Sequence, residues 1–220
     1  MFGFLKTNFL GDTNVGLYGF ATDKYALLGY EPNKKILDQI KKILAVKIIN
    51  VSIAGSQLLG VFCAGNSNGV LIPKIVEDYE LRRLKERLDL NLEVIKSKQT
   101  ALGNMILCND NGCIIPKVLA KFRKQIKDCL DCEVGTGTVA NLRIVGSASR
   151  ASNTGCLCHM NAKENEVKMI EEILKVKADI GTVNYGTPFI KTGIIVNNKG
   201  FVTSTITTGP ELDRIFEVFK

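Results

Sequence analysis

Seven cysteines and a single histidine are the side chains best suited to metal or nucleophilic chemistry in this 220-residue chain. Cys129-Leu-Asp-Cys132 is a C-x-x-C pair, and Cys156-Leu-Cys-His159 sets two more sulfurs beside the imidazole. Zinc favours thiolate and imidazole ligands, so the two segments invite a metal reading. Their placement opposes it. Cys129 and Cys132 fall at a helix end, whereas Cys156 to His159 lie in a strand, where Cys156 and Cys158 share a face and His159 points away. Buried cysteines, a surface histidine, no metal and no cofactor are the expectation. A cysteine nucleophile would need a base held by a third group, and no acidic residue near His159 stands out. No phosphate-binding G-x-x-x-x-G-K-S/T is present, and Val134-Gly-Thr-Gly-Thr-Val139 occupies a strand position. Nothing here demands catalysis, and the chain is read as a non-enzyme.

The elements that carry these residues repeat. Ala64-Gly-Asn-Ser-Asn-Gly-Val-Leu-Ile-Pro73 reads as a hairpin, with Asn68-Gly69 as a two-residue primed turn and Val70 to Ile72 as the strand leaving it. The pattern returns in Cys108 to Pro116, Ser152 to Cys158 and Asn197 to Val202, and fainter in Thr22 to Leu28. Its anchors, Lys24, Gly69, Gly112, Gly155 and Gly200, are spaced by 45, 43, 43 and 45 residues. A second series, Gly16, Gly60, Gly103, Gly146 and Gly193, precedes the anchors by seven to nine residues. One period shared by two series signals repeats that bury their faces against neighbours. The chain divides into units of approximately 1–46, 47–91, 92–131, 132–177 and 178–220 within a single domain.

Each unit reads strand, loop, strand, turn, strand, helix. The helices carry apolar stripes such as Ile36, Leu37, Ile40, Ile43 and Leu44, or Leu119, Phe122, Ile126 and Leu130. Asn161 with Glu164 and Thr208 with Glu211 read as caps of the last two. A linear array would need polar end repeats. None is visible, so the five units are expected to close into a ring, with the Asn-Gly turns at one end and the Gly55–Gly60 and Lys98–Leu102 loops at the other.

Composition bounds the function classes. At 45% hydrophobic residues the chain can bury a substantial core, and its net charge of +7 suits an anionic partner such as RNA. The basic residues are spread over four helices, which reads as a solvated outer ring. The N-terminus lacks a secretory pattern, no apolar run reaches the roughly 20 residues of a membrane span, and the odd cysteine count suits a reduced interior. A cytoplasmic protein with no membrane partner is expected.

Taken together, Ser52-Ile-Ala-Gly55, Gly65-Asn66 with Gly69-Val-Leu-Ile-Pro73, Ala101-Leu-Gly-Asn104, Cys108-Asn-Asp110, Val139-Ala140, Val145-Gly-Ser147 and Gly181-Thr-Val-Asn184 occur in an order that closely resembles the translation initiation factor 6 family, over about the full length. The resemblance implies an α/β pentein fold, a five-bladed α/β propeller of pseudo-fivefold symmetry. It implies a non-enzymatic monomer that binds the inter-subunit face of the large ribosomal subunit, near ribosomal proteins and rRNA at the sarcin–ricin loop. Such a protein blocks small-subunit joining, acts in large-subunit maturation and takes no small-molecule substrate. The family's binding face includes Leu102, Gly103 and Asn104, and pseudo-symmetry extends the candidates to Gly55, Gly60, Asn141, Ser147 and Tyr185. Val61 stands where some relatives carry a basic side chain, and the chain ends with its last helix, as in archaeal members. Two rival classes remain. Guanidine-modifying deiminases and amidinotransferases share the architecture and need a cysteine, a histidine and acids at the ring centre; a free RNA-binding protein would show a steep salt dependence.

Overall fold

The apolar run after each turn becomes the middle strand of a small sheet. A computed structural model describes residues 2–220. The chain begins with β1 (Gly3–Lys6), a 3₁₀ turn (Val15–Leu17), β2 (Gly19–Ala21), β3 (Tyr25–Leu28) and α1 (Lys34–Leu44). Then come β4 (Lys47–Asn50), α2 (Leu59–Phe62), β5 (Ala64–Gly65), β6 (Gly69–Pro73) and α3 (Asp78–Arg87). The third round is β7 (Asn91–Ile95), α4 (Leu102–Met105), β8 (Leu107–Cys108), β9 (Gly112–Ile115) and a 3₁₀ stretch (Lys117–Phe122) leading into α5 (Arg123–Leu130). The fourth is β10 (Glu133–Thr136), α6 (Val145–Ala148), β11 (Ser149–Ala151), β12 (Gly155–His159) and α7 (Glu164–Leu174). The last is β13 (Lys177–Gly181), α8 (Ile190–Gly193), β14 (Ile194–Asn197), β15 (Gly200–Thr203) and α9 (Gly209–Phe219).

Five three-stranded sheets result, each an antiparallel hairpin whose second strand also pairs in parallel with the strand after the crossover helix. The fifth sheet takes its parallel strand from the start of the chain: β1 lies on β15 with Gly3 opposite Gly200. Ring closure is thus a strand pairing between the two ends of the chain, and the fold is the pentein-type five-fold arrangement.

Alternate residues of each middle strand feed two different cores. Val70 and Ile72 of β6 enter one apolar cluster and Leu71 the next; Cys156 and Cys158 of β12 enter one and Leu157 another. A strand covered on both faces needs apolar residues at every position, which is why these segments read as continuous runs. The crossover helices cover the outer side, α1 burying Ile40 and Leu44. Its N-cap Asn33 accepts from the Ile36 N–H at 3.1 Å. Thr208 caps α9 as expected. On α7 the cap falls at Lys163, not Asn161, because the Glu166 carboxylate reaches back to the Lys163 N–H at 3.0 Å.

Two further expectations are corrected. Asn68 and Gly69 do not form a primed turn, since neither has positive φ. The turn is built instead by Asn66, whose Oδ1 accepts from the Asn68 and Gly69 N–H groups at 3.0 and 3.1 Å. Glycine is required at 69 by close approach: a Cβ there would lie 2.2 Å from the Cys129 carbonyl oxygen at the end of the neighbouring helix. Gly112 and Gly155 meet Ile173 O and Val218 O in the same way. His159, expected at the surface, is 7% exposed. Its Nδ1 accepts from the Asn161 N–H at 3.1 Å and its ring meets Phe189 edge-on.

The second glycine series lies in a feature the sequence reading did not resolve. Gly16 sits in the first 3₁₀ turn, and Gly60, Gly103, Gly146 and Gly193 in the one-turn helices α2, α4, α6 and α8. These five short segments pack around the axis in succession, α8 closing onto the 3₁₀ turn. A Cβ at Gly60 would lie 2.2 Å from Gly16 O, one at Gly103 2.1 Å from Gly60 O, and one at Gly146 2.4 Å from Gly103 O.

Candidate functional site, a rim of braced loop tips

After each parallel strand the chain turns at the end of the ring opposite the asparagine turns. Four of these loops carry the primed geometry that the Asn-Gly pair lacks. Positive φ occurs at Leu10 and Gly11, at Ala54 and Gly55, at Ala140 and Asn141, and at Asn184, Tyr185 and Gly186. Each tip is closed by a backbone bridge, such as Ile53 to Ser56 or Val183 to Thr187. The loop of the third unit differs: Ser97 Oγ accepts from the Gln99 N–H at 3.0 Å, leaving Lys98 and Gln99 exposed.

A left-handed conformation costs a non-glycine residue roughly 1–2 kcal/mol, so these tips need support. Three buried glutamates supply it. Glu80, the third residue of α3, accepts from Ser52 Oγ at 2.7 Å and from the Ala54 and Gly55 N–H groups at 2.7 and 3.0 Å. Glu166 does the same for Thr138, Ala140 and Asn141, with distances of 2.7–3.0 Å. Glu211 holds Thr182 and the Tyr185 and Gly186 N–H groups at 2.8–3.1 Å. One carboxylate therefore caps its own helix and clamps the loop of the preceding strand. Burial alone would raise these carboxyl pKa values. The backbone and hydroxyl donors outweigh it and hold all three below the ordinary carboxylate value.

The linkage has a definite sign. Groups with depressed folded-state pKa values bind fewer protons when folded, so their stabilisation is present above the unfolded value of about 4.3 and is lost as pH falls through the folded values. Urea midpoints are expected to decline below about pH 4.3, and Glu80→Gln should flatten that decline. An equal decline in wild type and variant would refute the assignment.

The candidate residues separate by position. Gly55, Asn141 and Tyr185 are at exposed loop tips, Tyr185 being 81% exposed. Leu102 is fully buried in a core cluster, and Gly60, Gly103 and Ser147 are buried in the central short helices. Asn104 is half-buried in α4, its Oδ1 unpaired among the described residues. Leu10, which is 61% exposed, and Arg143 also belong to the rim and were not singled out from sequence. Leu10-Gly11 matches the other tips in spacing, a signal that pseudo-symmetry could have found.

The groups suited to nucleophilic or metal chemistry are not assembled. All seven cysteines are buried and unpaired to one another by disulfides. Burial pushes the thiols of Cys63, Cys129 and Cys132 up to about 12 and that of Cys108 to about 11. Cys156 and Cys158 sulfurs lie 3.7 Å apart, within the core and hydrogen-bonded to each other rather than to His159. Burial also lowers the His159 pKa, partly offset by Glu166. Among the described residues no group of three or more His, Cys, Asp or Glu side chains could hold a metal, and no helix is long and apolar enough to cross a membrane.

A closed pseudo-fivefold ring with thiols disarmed by burial and rigid loop tips at one end defines a pentein-fold protein built around a surface. The chain matches the eIF-6 family over residues 4–218 and belongs to it. A protein of Methanococcus maripaludis named translation initiation factor 6 is 40% identical over 97% of this chain and 96% of its own length. Those of the same name from Methanocaldococcus jannaschii and Sulfolobus acidocaldarius are 41% and 36% identical, covering 94% and 98% of both chains respectively.

Proposed function

We propose that this protein binds the face of the large ribosomal subunit that meets the small subunit and excludes the small subunit by occupying that surface. On this reading it is a monomeric cytoplasmic factor, it contacts ribosomal proteins and rRNA near the sarcin–ricin loop, and it also serves large-subunit maturation. The observation that carries the reading is the rim of glutamate-braced loop tips, which presents an exposed aromatic, an amide and backbone groups on a rigid frame. Pre-organised loops lose little conformational entropy on docking. A standard interface buries about 800 Å² on each partner, a share that one end of a molecule with 9758 Å² of surface can supply. Residues proposed for direct contact are Gly55, Asn141 and Tyr185, with Asn104 at the rim's inner edge. Leu102, Gly60, Gly103 and Ser147 are proposed to act by holding α2, α4 and α6 in place beneath it.

Sucrose-gradient sedimentation with purified subunits tests this. Wild type should co-migrate with the large subunit and deplete joined ribosomes. Tyr185→Asp removes the most exposed aromatic and sets a charge against an anionic surface, so binding should weaken by about 30-fold or more, as at an interface hot spot. Lys199→Glu, at the opposite end of the ring, should bind as wild type does. Equal loss in both variants would place the contact elsewhere.

A further inference from the structure

The axis of the ring holds two buried cations that the proposed surface does not use. Lys191, on α8, is 4% exposed and its Nζ donates across the axis to the Gly103 carbonyl of α4. Arg150, on β11, reaches the opposite strands, its Nη2 donating to Ala21 O at 2.7 Å and Val196 O at 3.5 Å. Both line one small internal cavity of about 10 Å³ together with Ser149. The rest of the wall is apolar side chains, glycine and the thiols of Cys63 and Cys108, with no carboxylate among the described residues.

Three donors face this space with unused capacity. Arg150 Nε and Ser149 Oγ are buried and have no hydrogen-bond partner among the described residues. The Lys191 ammonium has three N–H groups, of which one is placed on Gly103. Buried polar groups are ordinarily paired, and an uncompensated buried charge costs several kcal/mol. The guanidinium cannot shed its proton to escape that cost. Nor do the thiols supply negative charge, since burial raises Cys63 to about 12 and Cys108 to about 11. Burial, with Arg150 adding repulsion, pushes Lys191 down to about 7. The site is therefore a cluster of donors, positive, dry and without a counter-charge of its own.

We propose that the ring axis binds one monatomic monovalent anion, chloride under ordinary conditions, held by Lys191 Nζ, Arg150 Nε and Ser149 Oγ. The cavity has room for a particle of about water size, which excludes phosphate, sulfate and carboxylates. Bound there, the ion neutralises the inward-pointing cations and ties α8, β11 and α4 together at the centre of the ring. Because Lys191 donates to the backbone of Gly103, anion binding stiffens the platform beneath the rim.

Long-wavelength anomalous diffraction from crystals grown in sodium chloride tests the assignment directly. An anomalous peak among the three donors is expected; a feature without anomalous signal is water and overturns the proposal. In solution, the thermal midpoint of wild type should rise with chloride relative to gluconate at matched ionic strength. Lys191→Met should remove that dependence. Should that variant fail to fold, Ser149→Ala, which deletes only a hydroxyl, should raise the chloride concentration for half the effect by about tenfold. Identical midpoints in chloride and gluconate would refute the site.

Discussion

Gly103→Ala is expected to destabilise the protein by about 3 kcal/mol or more, enough to unfold much of a marginally stable chain. The added Cβ would stand 2.1 Å from the Gly60 carbonyl oxygen, 2.5 Å from Cys63 O and 2.8 Å from Lys191 Nζ. The first two are backbone atoms and have no rotamer with which to yield. Relief requires α2 and α4 to separate, yet each already contacts the next member of a closed ring, so the displacement is passed on to α6 and α8. Gly209→Ala is the matching control. A Cβ there meets nothing within 4 Å and the residue has no positive φ, so its stability should stay within about 0.5 kcal/mol of wild type. Urea unfolding followed by circular dichroism gives both numbers. A Gly103→Ala midpoint equal to that of wild type would mean that the short helices are not packed at glycine distance.

At the other end of the ring, Asn109→Leu should cost about 4 kcal/mol. The Asn109 side chain is buried and makes four hydrogen bonds. Nδ2 donates to Ser152 O at 3.0 Å and Leu174 O at 2.9 Å, while Oδ1 accepts from the Asn111 and Gly112 N–H groups at 3.0 Å each. Leucine matches the volume and leaves four backbone groups without that partner, each penalised by about 1–3 kcal/mol if water cannot reach it. Asn111→Ala, which removes a single longer bond of 3.3 Å to Leu174 O, should cost about 1 kcal/mol. Equal midpoints for the two variants would show that Asn109 is not the joint between units. Asn66 and Asn197 repeat the arrangement, Asn66 reaching Asn109 O and Leu130 O, and Asn197 reaching Thr22 O and Leu44 O. One asparagine therefore builds its own turn and ties it to the next blade and the end of a helix.

That double use explains what could be read in advance. The period was visible because the asparagine and the following glycine answer to constraints that recur once per blade. Their chemistry was misassigned because both constraints come from the neighbouring unit. Gly69 is glycine on account of Cys129, sixty residues on, and nothing local distinguishes that from a demand for positive φ. The primed turns are at Ala54-Gly55 and Ala140-Asn141, and Ala140 carries no turn signature at all. Its conformation is maintained by Glu166, through a hydrogen bond of 2.8 Å across 26 residues. The one-turn helices escaped notice because four residues are too few for a periodicity. His159 was misplaced because alternation along β12 presumes one wet face, and that strand is covered on both.

By itself the sequence determined the five-unit period, the apolar stripe of each outer helix, the absence of a spaced catalytic or metal motif and, through its ordered motifs, the family. These are properties of local chemistry and of spacing along the chain. Tertiary structure alone decided which end of each unit is rigid surface, which candidates are scaffold, and where the two inward cations meet. Those depend on groups brought together from different blades: Glu80 on Gly55, Lys191 on Gly103, Arg150 on Ala21. Contacts between units are settled only when the ring closes, because each blade completes its neighbour's hydrogen bonds and not its own.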